Sequence, residues 1–505
     1  MSTTRTFFAD EKAAPEMPPV GGASGTGRAA PVPRLCLLIF LALVLPLGII
    51  LAVITPLGGV ADETAHALRA ESLSHGEIFG FRAPVRLPDG SVRMAAGVSA
   101  DLGIQDAAMV DAPGEWVTND ILRQARAATW RGHRSFAEIT PLALYLPVFY
   151  APAAVAIAVT RFLDGGPAAA FIAGRMVNLL VFACLGFLTL SIARRGHAVL
   201  LCALALPMEV SLAASLNQDG LLIATCALAI GLLTRDGEDG RSGSAGFQPS
   251  WSWIMSGCLL GLVALAKIPY AGLLLILVFP LGWRRDSAMR LAGATLFAAP
   301  GLAWAAYAMG HIATPWPPLP PYAPGPLWIG PAGQIFTSPD ATAQLHVLLA
   351  EPTRILTLTL HSLWAKKAIL LEFIGILGFV SLRLPAGLYV LWGLALAAAM
   401  VADRRGRPAP TALSWRDQAA LAAMLGLIVI AIYMSQYLSW TTVGAPIVIG
   451  PTGRYFLPLL PAMVFLLPRL GRPGSADLLL LPVAAAVVAS LIVTPLSVLD
   501  GFYGP

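Results

Sequence analysis

A dozen apolar stretches run through the chain, at roughly 35–57, 141–163, 173–193, 197–213, 217–234, 253–267, 269–283, 289–309, 385–402, 417–438, 454–469 and 475–497. Another, 368–382, is interrupted by Glu372 and glycines. A stretch that long cannot leave its backbone N–H and C=O groups unpaired in lipid, so it must be helical where it crosses a bilayer. Several of these stretches fall short of the ~20 residues a span normally needs, so their ends are soft. Composition agrees: 57% of the 505 residues are hydrophobic and only 12% are charged, against about 25% charged in soluble proteins. Most of this surface belongs in lipid, and the fold class expected is an all-α integral membrane protein. The net charge of +5 is not gathered into a basic stripe with aromatics, which argues against nucleic acid as a partner.

The five cysteines (Cys36, Cys184, Cys202, Cys226, Cys258) lie inside apolar runs with no CxxC pair. They read as small buried residues rather than a disulfide framework or zinc site. Residues 1–34 are polar and rich in Gly, Ala and Pro, which reads as a disordered cytoplasmic tail. The run 35–57 is longer than a signal-peptide core and lacks a good cleavage site, so it reads as a first transmembrane helix.

Orientation follows from the basic clusters. If 141–163 crossed, then Arg194, Arg195, the segment 235–241, "WRRDSAMR" and "DRRGR" would all face outward, against the positive-inside rule. If 141–163 instead lies in the outer leaflet, all of them become cytoplasmic, and Pro141, Pro147 and Pro152 suit such a broken helix. This gives about 11 transmembrane helices (range 10–13), with the amino terminus inside. Residues 35–505 form one polytopic domain, 58–174 its large first periplasmic loop with interfacial helices, and 310–384 a second long periplasmic loop. Among the aromatics of 314–331, Trp316, Tyr322 and Trp328 suit either sugar stacking or the headgroup belt. The three histidines of that loop, His311, His346 and His361, show no metal-ligand spacing.

The ionisable residues then gather on the outer side. "GGVADETAHALRAE" sets Asp62, Glu63, His66 and Arg69 just past the first helix. Asp62 and His66, four apart, share a helical face. They suit proton abstraction or metal ligation, while acids at a helix start also arise simply from the dipole. Asp219 in "SLNQDG" reads as a helix cap or a site acid. Lys267, among Leu, Ala, Ile and Pro, either snorkels or meets an anion. Arg454, with Tyr455 in "GPTGRYF", follows two glycines and opens a helix, a plausible phosphate clamp. Glu372 lies on the same side.

The strings "DETAHALRAESLSHGEIFG", "TPLALYLPVFYAP", "ASLNQDGLLIATCAL", "LGLVALAKIPYAG", "IGILGF" and "GPTGRYFLPLLPAMV" resemble a group of bacterial multi-spanning membrane proteins. By architecture that group is related to the GT-C-fold glycosyltransferases, and the likeness spans about residues 35–470. It implies a polyprenyl-phosphate-linked sugar as donor, reached from the membrane. It implies a catalytic acid in the first outer loop, matching Asp62 or Glu63 with His66 beside it, and a second acidic position matching Asp219. Lys267 and Arg454 match the basic motifs and would hold the lipid phosphate, with Tyr455 and Arg69 among the substrate-binding residues. "NQD" departs from a DxD pair, which argues against a tightly held ion, so a divalent metal on Asp62 and Asp219 is the weaker expectation.

Two functions of different class follow. The first is a glycosyltransferase at the bacterial inner membrane that moves a sugar to a saccharide or lipid acceptor of the cell envelope. The second is a transporter or flippase of lipid-linked saccharide, with Asp62 and His66 as a proton relay. One-sided charges and the lack of an internal repeat disfavour the second. A non-catalytic scaffold would be indifferent to Asp62.

Overall fold

The structure, a computed structural model, describes residues 31–504 apart from 88, 111–113, 236–247, 281–284, 315–339, 405–412 and 467–475. Most of the expected cytoplasmic tail, the 235–246 linker, the Pro/Trp stretch and the basic clusters around 406 and 470 therefore lie outside the described residues.

Six of the described helices are long and apolar enough to cross a membrane. They are α1 (Val32–Ile54), α5 (Pro167–Ile192), α10 (Arg285–His311), α14 (Ala386–Asp403), α15 (Trp415–Ser439) and α16 (Leu481–Tyr503). α1 has one wider turn at Phe40–Val44, where Pro46 has no N–H to return to the preceding turn. The remaining helices are shorter. Among them are α2 (Glu63–Ser74), α3 (Asn119–Ala127), α4 (Ala151–Phe162), α6 (His197–Ala205), α7 (Pro207–Ala213), α8 (Asp219–Leu233) and α9 (Trp251–Ala266). Past residue 340 come α11 (Ala341–Ala350), α12 (Arg354–Ala365) and α13 (Ile369–Gly375).

The stretch 197–213 is broken rather than continuous. Leu206 is held extended before Pro207, as a residue before proline prefers, and this divides α6 from α7. α8 is apolar on every side, and each of its residues is buried, the mark of a helix walled in by other helices. At 15 residues it is only about 22 Å long, which suffices for a helix shielded from lipid by its neighbours. Two 3-10 runs, Ile268–Val278 and Gly453–Ala462, are far longer than usual. Pro269, Pro458 and Pro461 each remove an N–H that an α-helix would use.

The all-α expectation needs a correction in the segment 58–174. Strands β1 (Phe81–Arg86), β2 (Val92–Ala100) and β3 (Ser135–Glu138) form an antiparallel sheet in that order, with Phe81 opposite Gly97 and Gly97 opposite Glu138. The hairpin closes at "LPDGS", with Gly90 at φ 85°. An Asp-Gly pair between alternating residues is a hairpin signal. β2 lays Ala96, Val98 and Ala100 against Ala67, Leu68 and Ala70 of α2, a second core beside the main membrane core.

Across 141–163 the chain is broken as its prolines require: short 3-10 turns at Leu142–Leu144 and Pro147–Tyr150, then α4, which packs on α5. The cysteine expectation holds for Cys36, Cys202 and Cys226. It fails for Cys184 and Cys258, which are exposed on the outward faces of apolar helices, where lipid rather than protein would cover them.

Candidate functional site

Six of the residues singled out from the sequence meet at one end of the helices. α1 ends at Ile54, and the chain turns through Gly58 and Gly59. Ala61 N–H is bonded to Gly378 O at 3.0 Å. Asp62 then adopts a left-handed conformation, φ 65°, costly for a non-glycine residue and commonly tied to function. It occupies the position preceding α2, yet its side chain makes no capping bond. Its carboxylate is instead paired with the Arg454 guanidinium. The Asp62 side chain is 50% exposed and Arg454 only 7%, so the acid faces an open recess while the base is set in its wall.

Asp219 opens α8. Its N–H is bonded to Asn217 Oδ1 at 2.9 Å, so "NQDG" forms a side-chain turn. Gly220 is required there, because a Cβ would sit 2.5 Å from Ala213 N, where α7 crosses. The Asp219 carboxylate receives Lys267 Nζ at 2.6 Å and lies 3.8 Å from Arg454 Nε. Ala61 O accepts from both Arg454 Nη1 (3.2 Å) and Asn217 Nδ2 (3.3 Å), binding the loop, α8 and the last 3-10 run together. Lys267 and Arg454 each stand at the beginning of a long 3-10 run, and the runs are joined by Tyr270 Oη donating to Tyr455 O at 2.9 Å. The Tyr455 ring lies 5.0 Å from Lys267 Nζ and 5.4 Å from Arg454 Cζ, and Tyr145 lies 5.5 Å from Lys267 Nζ. Both rings contribute favourable cation–π contacts.

His66 is on α2, one turn beyond Asp62. It is 3% exposed, and its Nδ1 lies 2.6 Å from Tyr150 Oη. Burial pushes this imidazole down to about 3, with Lys267 and Arg454 acting in the same sense and Asp219 and Asp62 opposing. It is therefore neutral at physiological pH. For Asp62, burial alone would raise the carboxyl, but the Arg454 guanidinium, with Lys267 behind it, outweighs that and holds it below its ordinary value. Two carboxylates and two cations leave the recess with no net formal charge, and every charge is already paired.

Glu63, Arg69, Glu372 and Tyr455 are placed differently from one another. Glu63 is fully buried and takes Arg175 Nε at 2.8 Å and Nη2 at 2.6 Å, with Leu216 N–H at 3.0 Å. Its oxygens are committed to the protein. Arg69 donates to Ile78 O (2.6 Å) and Tyr145 O (3.2 Å), tying the sheet to the Tyr145 turn. Glu372 accepts Gly453 N–H at 2.9 Å and Lys366 Nζ at 2.9 Å, which fixes the loop before Arg454. Only Tyr455 joins the recess.

Asp62 and Asp219 do not make a fitting metal site. No group of three or more His, Cys, Asp and Glu able to hold an ion occurs among the described residues. Each acid is already committed to a cation, Asp62 to Arg454 and Asp219 to Lys267. What the arrangement can do is exchange partners: an anion can take the two cations, and a hydroxyl can then meet the acids or the imidazole.

Arg175 and Tyr150 escaped the sequence reading. A lone arginine inside the apolar run of α5 was the available signal, since a charge at membrane depth needs a partner. Tyr150, 84 residues from His66, gave none. Residues 45–463 match a family described as predicted membrane protein (DUF2142). No curated protein and no solved structure matches the chain.

Proposed function

The chain belongs to the DUF2142 family of predicted membrane proteins, and from that premise we propose that it is a membrane glycosyltransferase of GT-C type. It would move a sugar from a polyprenyl-phosphate carrier to a saccharide or lipid acceptor of the cell envelope. The observation that carries this reading is the recess itself: Asp62, Asp219, Lys267 and Arg454 paired around a neutral His66 where apolar helices end. A lipid phosphate would share Arg454 and Lys267 with their carboxylates. The cations would then stabilise charge developing on the leaving phosphate, while Asp62 orients the acceptor hydroxyl or takes its proton.

Eleven spans accommodate this arrangement. The six long helices would be joined by 197–213, α8, α9, Ile268–Val278 and the run opened by Gly453. α4 would lie in the outer leaflet, with the amino terminus cytoplasmic and the recess periplasmic, at the bacterial inner membrane.

A flippase or transporter of lipid-linked saccharide is the second reading, favoured by one observation. Glu209 on α7 is fully buried, and neither of its carboxyl oxygens has a protein partner among the described residues, as in an acid that carries protons within a membrane. The deciding experiment uses the full chain in nanodiscs with polyprenyl-phosphate hexoses and pentoses and an envelope lipid extract as acceptor. Release of polyprenyl phosphate by wild type, strongly reduced in Asp62→Asn at donor concentrations below the wild-type KM and independent of a proton gradient, is expected. Lipid or proton movement without release would replace the enzyme with the transporter.

A further inference from the structure

We propose that His66, rather than Asp62, takes the acceptor's proton, with Tyr150 holding the ring and Asp62 holding Arg454. This rests on the transferase reading and names the base within it.

Three carboxylates line or back the recess, and each is bound to a cation: Asp62 to Arg454, Asp219 to Lys267 at 2.6 Å, and Glu63 to Arg175 at 2.6 Å. A carboxylate so paired is a weaker base than a free one. Lys267 and Arg454 are donors only. His66 is a neutral imidazole among them, within electrostatic reach of Asp62 from its own loop, Asp219 from α8, Lys267 from the end of α9 and Arg454 from the last 3-10 run. Tyr150, just before α4, is its one direct polar neighbour among the described residues. With Nδ1–H donating to Tyr150 Oη, Nε2 carries the lone pair, and it has no protein partner among the described residues. The second ring nitrogen of a catalytic histidine is set by such an orienting bond.

The balance of the step favours the same group. The acceptor O–H gives its proton to Nε2, and its oxygen forms a bond to the anomeric carbon. The bond from that carbon to the phosphate oxygen breaks, and its electron pair goes to the phosphate. The bound phosphate thereby gains one negative charge beside His66, which stabilises the imidazolium as it forms. The resting ring is a weak base chiefly because it is desolvated, and the two cations add to that. A bound phosphate occupies those cations, so the ring becomes more basic when the step requires it. Asp62, released from Arg454 only in part, retains the role of positioning that guanidinium.

The test measures transfer by the full chain in nanodiscs, with a polyprenyl-phosphate hexose as donor and envelope lipid extract as acceptor. Wild type, His66→Gln, His66→Ala, Tyr150→Phe and Asp62→Asn are compared across pH. His66→Gln should lower kcat about a hundredfold while donor KM stays within about threefold, and should abolish the acid limb of the pH profile. Imidazole should restore part of the activity of His66→Ala, which separates a missing base from a misfolded protein. Tyr150→Phe should shift the acid limb and lower kcat less. Asp62→Asn should act mainly on donor KM. Full kcat in His66→Gln, or loss of kcat in Asp62→Asn at unchanged donor KM, would assign the proton to Asp62 and overturn the proposal. A wild type that releases no polyprenyl phosphate would bring down the transferase reading, and the base with it.

Discussion

Arg175 offers the sharpest test of how the recess is held in place. Its guanidinium is fully buried and makes five hydrogen bonds: two to Glu63, at 2.8 and 2.6 Å, and three to the carbonyls of Ala52 (3.0 Å), Thr55 (2.6 Å) and Pro56 (2.8 Å). Those carbonyls belong to the end of α1 and the turn leading to Asp62, where helical partners run out. Arg175→Met removes all five bonds and leaves the Glu63 carboxylate buried with only backbone N–H donors, from Leu216 at 3.0 Å and Val60 at 3.4 Å. Breaking a buried pair from one side costs about 3–5 kcal/mol. Arg175→Lys keeps the charge but offers three donors in place of five, and should cost about 2–3 kcal/mol at roughly 1 kcal/mol or more per lost bond. Adding Glu63→Gln to Arg175→Met should recover about 1–2 kcal/mol by removing the stranded charge. The assay is thermal unfolding in nanodiscs, read by intrinsic fluorescence and by the monodisperse fraction left after heating. The reasoning fails if Arg175→Met melts with wild type, or if the double variant is as unstable as the two single losses added together.

Three further outcomes follow. His66 binds its proton near 3 in the folded protein against 6.5 ordinarily, so between those values the unfolded chain holds a proton the folded one lacks. Stability should fall as pH drops below 6.5 and level off near 3, and His66→Asn should flatten that slope in pH-dependent melts; equal slopes would refute it. Gly453→Ala would drive a Cβ into the backbone of Glu372 and Phe373, atoms that cannot rotate away. It should cost about 1–3 kcal/mol and weaken binding of polyprenyl phosphate by shifting Arg454, and unchanged affinity in a binding titration would contradict this. Glu209→Leu removes two buried oxygens without partners and should raise stability by about 1–2 kcal/mol, measured in the same melts; a loss of stability would show that Glu209 has a partner.

The sequence by itself determined the class of the molecule and most of the residues in its recess. Apolar runs with few charges leave a chain no alternative to lipid, and a charge at the end of such a run must have a partner or a use. That is why Asp62, Asp219, Lys267 and Arg454 stand out in the sequence alone. The hairpin at "LPDGS" was also legible, through its Asp-Gly turn and the alternation around it, although the apolar runs drew the reading away from strands. Which acid pairs with which base was decided only in three dimensions. Asp62 and Glu63 are neighbours in the chain, yet one faces the recess against Arg454 and the other is sealed against Arg175. The left-handed turn at Asp62 separates them, and that turn is held by Gly378 O, more than 300 residues away. Lys267 and Arg454 are joined through two 3-10 runs and one tyrosine hydroxyl. Periodicity reports which face of a helix is apolar. Partners from distant segments are chosen by packing, because the cost of an unpaired buried charge is settled only once every neighbour is in place.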